Sequence, residues 1–304
     1  EGHPYSNPYT GTGYEETVGK LTREDVVRFY QTWFKPNNAT LVVTGDVGMA
    51  ELKALLEKSL GKWRKGDVPT ISFPSPKTGT ANTLYLMNRP ESQQSVIIAG
   101  NVTAKYGDIP EIAVDQMVSI LGGDFTSRIN MNLREDKHWS YGAGGFVLGA
   151  RQERPFIVYA PVQTDKTAES VTEIRKELSE FTSTRPATPE ELEKVKTNEV
   201  LKLPGQWETN AAVASSVANL VRYGLADDYY QTYDARVRNL TVEEVRKVSG
   251  EVVRPGELNW FMVGDRAKIA EKLDQLGFEQ IIEIDADGKP ISKALEKKEV
   301  EIKN

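Results

Sequence analysis

Cysteine is absent from the sequence, and histidine occurs only twice, at His3 and His138. Without cysteine there are no disulfides, thiolate metal ligands or cysteine nucleophiles, although the cellular compartment stays open. The two histidines stand 135 positions apart (138 - 3). They cannot form the ligand pair that H-E-x-x-H or H-x-x-E-H places on one helical face, so this stretch is expected to build no catalytic zinc site of its own. No apolar run reaches the roughly 20 residues a membrane helix needs, and no charged-then-apolar leader opens the sequence. Basic residues are not in excess either. Lys and Arg total 38 against 44 Asp and Glu, a net charge of -6 that argues against nucleic acid as a partner. What is present, 39% hydrophobic and 27% charged residues, is the composition of a globular chain that can bury real cores. Its 304 residues predict about two domains.

The clearest positive signal is a repeat. Residues 21–46 read LTREDVVRFYQTWFKPNNATLVVTGD, and residues 240–265 read LTVEEVRKVSGEVVRPGELNWFMVGD. Set together at an offset of 219 (240 - 21), they coincide without a gap at Leu21/Leu240, Thr22/Thr241, Glu24/Glu243, Val26/Val245, Pro36/Pro255, Gly45/Gly264 and Asp46/Asp265. Each copy predicts a threonine-capped helix with acidic residues in its first turn. A proline stops that helix. An apolar strand follows (Leu41–Thr44, Trp260–Val263), then a further helix (Ala50–Leu60, Lys268–Leu276). One domain of about 219 residues is thus read twice. A second copy over about 80 to 290 places the start of the first some 140 residues ahead of residue 1 (80 - 219 = -139), so only its tail is expected here.

The chain is accordingly divided into residues 1–66, the tail of a first domain; 67–80, a linker within the Pro, Gly, Ser and Lys-rich run 64–80; 81–292, a complete second domain; and 293–304, a charged tail. Strands are expected at 82–88, 94–102, 146–148 and 156–162, the last with Pro155 at its edge. Helices are expected at 109–121, 166–181, 188–203 and 208–223. Long helices against several strands make an α+β domain with helices packed on a largely antiparallel sheet.

The stretch LGGDFTSRINMNLREDKHWSYGAGGF, residues 121–146, carries the candidate site. Gly122 and Gly123 break one helix. Ser127 is placed to cap a short helix ending near Asp136, and Gly142, Gly144 and Gly145 precede a strand. Arg134 and Tyr141 then face each other across a tight connection, where a permanent cation and a phenol can serve an anion or a developing oxyanion. The spacing also allows a structural role, with Arg134 paired to Glu135 or Asp136 and Tyr141 an ordinary half-buried strand residue. His138 reads as a partly exposed loop residue. Asp285-Ala-Asp287-Gly288 lacks the spacing of a calcium loop and predicts a hairpin turn between 281–284 and 290–291. Gly11-Thr-Gly13 is too short for a phosphate cradle.

The residues also carry a resemblance. His3-Pro4-Tyr5, Leu21-Thr22, Phe34-Lys35-Pro36-Asn37-Asn38 and Val43-Thr44-Gly45-Asp46 look like the end of an active-site domain of the insulinase/pitrilysin zinc metallopeptidases. LYLMNRPESQQS (84–95), Ser127-Arg128-Ile129, Leu133-Arg134-Glu135, Ser140-Tyr141-Gly142-Ala143 and Pro204 to Tyr223 look like successive parts of that family's second domain. The resemblance implies two homologous α+β domains closing around an extended peptide. The first carries H-x-x-E-H and the zinc; the second supplies an arginine and a tyrosine. On that reading Arg134 and Tyr141 bind the substrate carbonyl and steady the oxyanion opposite the metal. The chain itself holds no metal. Zinc is expected in an upstream part or on a catalytic partner subunit, and the substrate is a peptide or unfolded polypeptide. The alternative is a noncatalytic family member acting as partner subunit or assembly protein. A bacterial periplasmic origin fits the lack of cysteine and the style of the family.

Overall fold

The computed structural model describes residues 3–6 and 11–291; the expected charged tail, 293–304, lies outside them. In chain order the elements are α1 (Glu15–Val18), α2 (Arg23–Trp33), α3 (Met49–Leu60), β1 (Thr83–Asn88), β2 (Gln94–Thr103), α4 (Glu111–Val118), α5 (Arg128–Asn130), β3 (Gly144–Val147), β4 (Arg154–Gln163), α6 (Thr167–Phe181), α7 (Pro189–Gln206), α8 (Asn210–Tyr223), α9 (Tyr229–Asn239), α10 (Val242–Val252), β5 (Asn259–Gly264), α11 (Arg266–Asp274) and β6 (Gln280–Ile284). They group into two compact units, one of Glu1–Pro76 with Lys202–Tyr229, the other of Lys77–Leu201 with Tyr230–Asn304.

The larger unit is built on one six-stranded sheet in the order β3-β4-β2-β5-β1-β6. The pairs β3/β4, β4/β2 and β2/β5 are antiparallel, as expected. β1 instead lies parallel to both β5 and β6, so that side of the sheet is mixed. The reason is connectivity: helices such as α11 intervene in the chain and return the strands in the same direction. The hairpin turn at Asp285–Gly288 forms as well, with the Asp285 N–H donating to the Lys289 carbonyl at 2.9 Å. Before it, however, β6 has already joined the sheet beside β1.

Alternation along the strands puts one face against helices. Leu84, Leu86, Ile97, Ala99, Phe156, Val158, Trp260 and Met262 are all buried there. α10 adds Val245, Val248 and Val252 at helical spacing, and α6 adds Val171, Ile174, Leu178 and Phe181. The other face is apolar but partly open: Tyr85 and Phe261 are register partners whose rings stack at 4.8 Å.

The two copies of the repeat make a controlled comparison. Both begin with the same capping box. Thr22 accepts from the Asp25 N–H at 3.2 Å while the Asp25 carboxylate accepts from the Thr22 N–H at 2.9 Å. Thr241 and Glu244 repeat this at 3.3 and 2.8 Å. Beyond the caps they diverge. Trp260 is 1% exposed, whereas Leu41 at the same repeat position is 60% exposed. Residues 41–44 form no strand, contrary to the expectation from their apolar pattern. The physical reason is that a strand exists only through a neighbour that takes its backbone groups. β5 lies between β2 and β1, and no counterpart stands beside 41–44 among the described residues.

Two ion pairs brace the unit from below. Arg154 donates to both oxygens of Glu111 at 2.6 and 2.7 Å in a nearly water-free setting. Arg128, the first residue of α5, makes a two-nitrogen fork through Nε and Nη2 to the two oxygens of Glu191 at the start of α7, 2.7 Å on each arm, and also donates to the Arg185 and Pro186 carbonyls. Burial pushes the Glu191 carboxyl up. The fork from Arg128 and the Thr188 backbone and hydroxyl bonds outweigh it, so the carboxyl sits below its ordinary 4.5. A carboxyl whose pKa falls on folding stabilises fully above the unfolded value and loses that contribution as pH drops through the folded value. The melting temperature is therefore expected to fall below about pH 4 in part through this pair. Arg128→Ala should cost roughly 2 kcal/mol at neutral pH and flatten the acid limb, as thermal melts across pH would read.

Candidate functional site

Helix α4 does not end cleanly. Its last turn passes into a wide, π-type turn over Ser119–Gly123, and a second such turn, Met131–Asp136, continues α5. Lys137 N–H reaches back five residues to the Asn132 carbonyl at 3.0 Å. Two wide turns within one short stretch are the kind of irregularity that collects at functional sites. The expected helix from Ser127 to Asp136 is thus present in altered form. Ser127 occupies the cap position, but its hydroxyl makes no capping bond and stays buried without a partner.

The glycines explain how these turns reach the sheet. Gly122 lies so close to Gly144 and Gly145 that a Cβ on Gly122 would come 2.1 Å from the Gly145 nitrogen, and one on Gly144 would come 2.5 Å from the Gly122 carbonyl oxygen. Only bare backbone on both sides permits this approach. It presses the end of α4 against β3, the edge strand, and opens a groove of about 520 Å3 beside it.

Arg134 and Tyr141 both line that groove, together with Phe125, Asn130, Phe146 and Tyr159. The Arg134 guanidinium lies over the Phe125 ring at 4.4 Å, a cation–π contact on a half-exposed surface. It also pairs with Glu135 at 3.5 Å, the structural partner foreseen, though both side chains remain about as wet as dry, so that pair is weak. Tyr141 is no half-buried strand residue. It precedes β3 and is 88% exposed. Ser140 stiffens its turn: its one hydroxyl hydrogen is within reach of the Pro161 and Gly142 carbonyls, at 2.6 and 2.9 Å, and its oxygen accepts from the Gly142 N–H at 3.1 Å. His138 takes a left-handed backbone, φ 58°. Its N–H and Nδ1 both approach the Arg134 carbonyl, at 3.2 and 3.1 Å, closing the helix that carries the arginine. Asn130 and Phe125 were not singled out from the sequence. The available signal was a polar residue, Asn130, buried beside Ile129 and one turn before Leu133.

No group of three His, Cys, Asp or Glu among the described residues could hold a metal ion. His3 and His138 fall in different compact units, and His138 is committed to a carbonyl. Among the described residues the side chains present do not make a donor set for zinc.

The model of the peptidase M16 inactive domain matches residues 20–199, more than half of the chain. This protein belongs to that family. The resemblance drawn from its motifs is borne out. Zinc protease PqqE of Helicobacter pylori is 26% identical over 246 residues, 78% of this chain and 54% of that protein. A peptidase M16 inactive domain from Pseudomonas fluorescens shares the fold at a TM-score of 0.74 with 18% identity, covering 83% of this chain and 59% of that one. The periplasmic protease PqqL of Escherichia coli does so at 0.65 with 17% identity, covering 86% and 30%. The chain spans about half the length of curated relatives such as the Helicobacter pylori PqqE.

The glycine contact makes a direct prediction. Gly122→Ala should destabilise the larger unit by roughly 1–3 kcal/mol, because the clash is with backbone that cannot rotate away. Denaturant unfolding of this variant beside Gly123→Ala, which meets only looser contacts at 3.2 Å and beyond, should show the larger loss at 122.

Proposed function

We propose that this chain is the non-metal, substrate-binding part of an M16 zinc metalloendopeptidase, with Arg134 and Tyr141 presented to an extended peptide. The observation that carries the reading is that the guanidinium-bearing and phenol-bearing side chains open onto one groove, at an edge strand of the sheet. An extended peptide laid in that groove meets a fixed cation, a phenolic donor and aromatic surface. A peptide carbonyl, which gains negative charge as it is attacked, is the group such a pair favours most. The second support is membership of the peptidase M16 inactive-domain family, alongside a relative named zinc protease that is nearly twice as long as the matched stretch. The metal and its glutamate base belong, on this reading, to the remaining length or to a catalytic partner. Periplasmic residence is part of the same reading, supported by the description of the Escherichia coli neighbour as a periplasmic protease.

Titrating the chain with fluorescent extended peptides tests the binding half of the proposal. Arg134→Ala should weaken binding about tenfold, near 1.4 kcal/mol, and Tyr141→Phe by roughly 1 kcal/mol. Because Tyr141 is exposed, its variant should melt where the parent does. Unchanged affinity in the double variant would remove both residues from the site.

A separate expectation concerns chemistry. Incubated alone with zinc, the chain should leave peptides intact over a day, as followed by mass spectrometry. Cleavage that a chelator abolishes would overturn the assignment to a non-metal part.

A further inference from the structure

Arg134 and Tyr141 stand on different elements, one on the wide turn after α5 and the other in the loop before β3. Something must hold the two at a constant separation, and neither can do it alone. The ion pair of Arg134 with Glu135 is half-hydrated, and the Tyr141 side chain is almost wholly in solvent.

One buried side chain spans the gap. Asn130 is 5% exposed, and both ends of its amide are used. Its Nδ2 donates to the Phe125 carbonyl at 2.6 Å, and its Oδ1 accepts from the Ala143 N–H at 3.1 Å. Phe125 is the residue whose ring underlies the Arg134 guanidinium. Ala143 lies two residues beyond Tyr141, in the turn that Ser140 stiffens. A planar amide offering a donor on one side and an acceptor on the other ties the floor beneath the arginine to the loop of the tyrosine. No other residue type of that length offers both groups in this geometry. A buried bond of this kind is also costly to leave half-made, which keeps both loops in register.

Resting on the substrate-binding reading above, we infer that Asn130 is the positioning residue of the groove, setting the spacing of Arg134 and Tyr141 through its two amide hydrogen bonds. Phe125 is its relay to Arg134. Positioning of this sort converts small displacements into large losses of affinity, because two donors must meet one carbonyl at once.

The test is a coupling experiment on the whole chain, with the extended fluorescent peptide as probe. Asn130→Ala should weaken peptide binding about tenfold in the parent, and not at all further in the Arg134→Ala/Tyr141→Phe background. It should also speed hydrogen exchange at the Ala143 amide at least tenfold and broaden the Arg134 Nε–H resonance. Phe125→Leu, at an exposed residue that cannot unfold the core, should weaken binding while leaving Ala143 exchange unchanged. An equal loss from Asn130→Ala in both backgrounds would mark a general structural effect and overturn the inference. Unaltered exchange at Ala143 would overturn it as well. If instead the exchange and resonance changes occur while the Arg134/Tyr141 double variant binds peptide normally, the positioning role stands and the substrate-binding reading is what fails.

Discussion

Two stretches of backbone without side chains, Gly122 on one side and Gly144-Gly145 on the other, meet closer than any Cβ would allow. That contact decides where α4 can end and how near β3 can come to it. The wide turn over Ser119–Gly123 carries Gly122 into that contact, and a second wide turn, Met131–Asp136, carries Arg134. The groove is what remains open beside the contact, and Arg134, Tyr141, Phe125 and Asn130 take their places around it. Packing this tight transmits displacement rather than absorbing it, and the same glycines, Gly122, Gly144 and Gly145, form part of the groove wall.

Charge is used below this region for support. The Arg128–Glu191 fork anchors the first residue of α5 to the first turn of α7, and Arg154–Glu111 anchors the start of β4 to the start of α4. Both arginines are mostly withdrawn from water; Arg128 meets its carboxylate with two nitrogens in the planar geometry that guanidinium prefers, while Arg154 reaches both oxygens from one. Arg134 differs from them. Its ion pair is longer and hydrated, although all three guanidinium groups lie over an aromatic ring: Phe181 for Arg128, Tyr106 for Arg154 and Phe125 for Arg134.

The repeat shows how far local chemistry reaches. The Thr22–Asp25 and Thr241–Glu244 boxes form alike in both copies because they involve only neighbours four residues or fewer apart. Burial does not follow the repeat. Val245, Val248, Trp260 and Met262 are sealed by strands and helices of the second copy, while Val26, Phe29, Leu41 and Val43 of the first are largely bare. Identical helix caps thus coexist with opposite exposure.

Several features were legible from residues alone. Helix starts could be read from Thr22, Thr241 and Thr188-Pro189, strand alternation from Thr83–Asn88 and Gln94–Thr103, and the family from motifs in sequence order. These signals are carried by contacts between near neighbours or by strict periodicity, which a linear pattern records. The helix Tyr229–Asn239 went unread because YYQTYDARVRN has no clean apolar stripe, and its buried Val237 is defined by residues distant in the chain. The non-strand at 41–44, the parallel seat of β6 and the 88% exposure of Tyr141 likewise depended on who the neighbour is. So did the role of Asn130, whose two partners lie five residues before it and thirteen after. The sequence by itself determined caps, turns, periodicity and kinship. The tertiary structure alone decided which apolar faces are covered and which polar groups meet, because both depend on surfaces brought together from far along the chain.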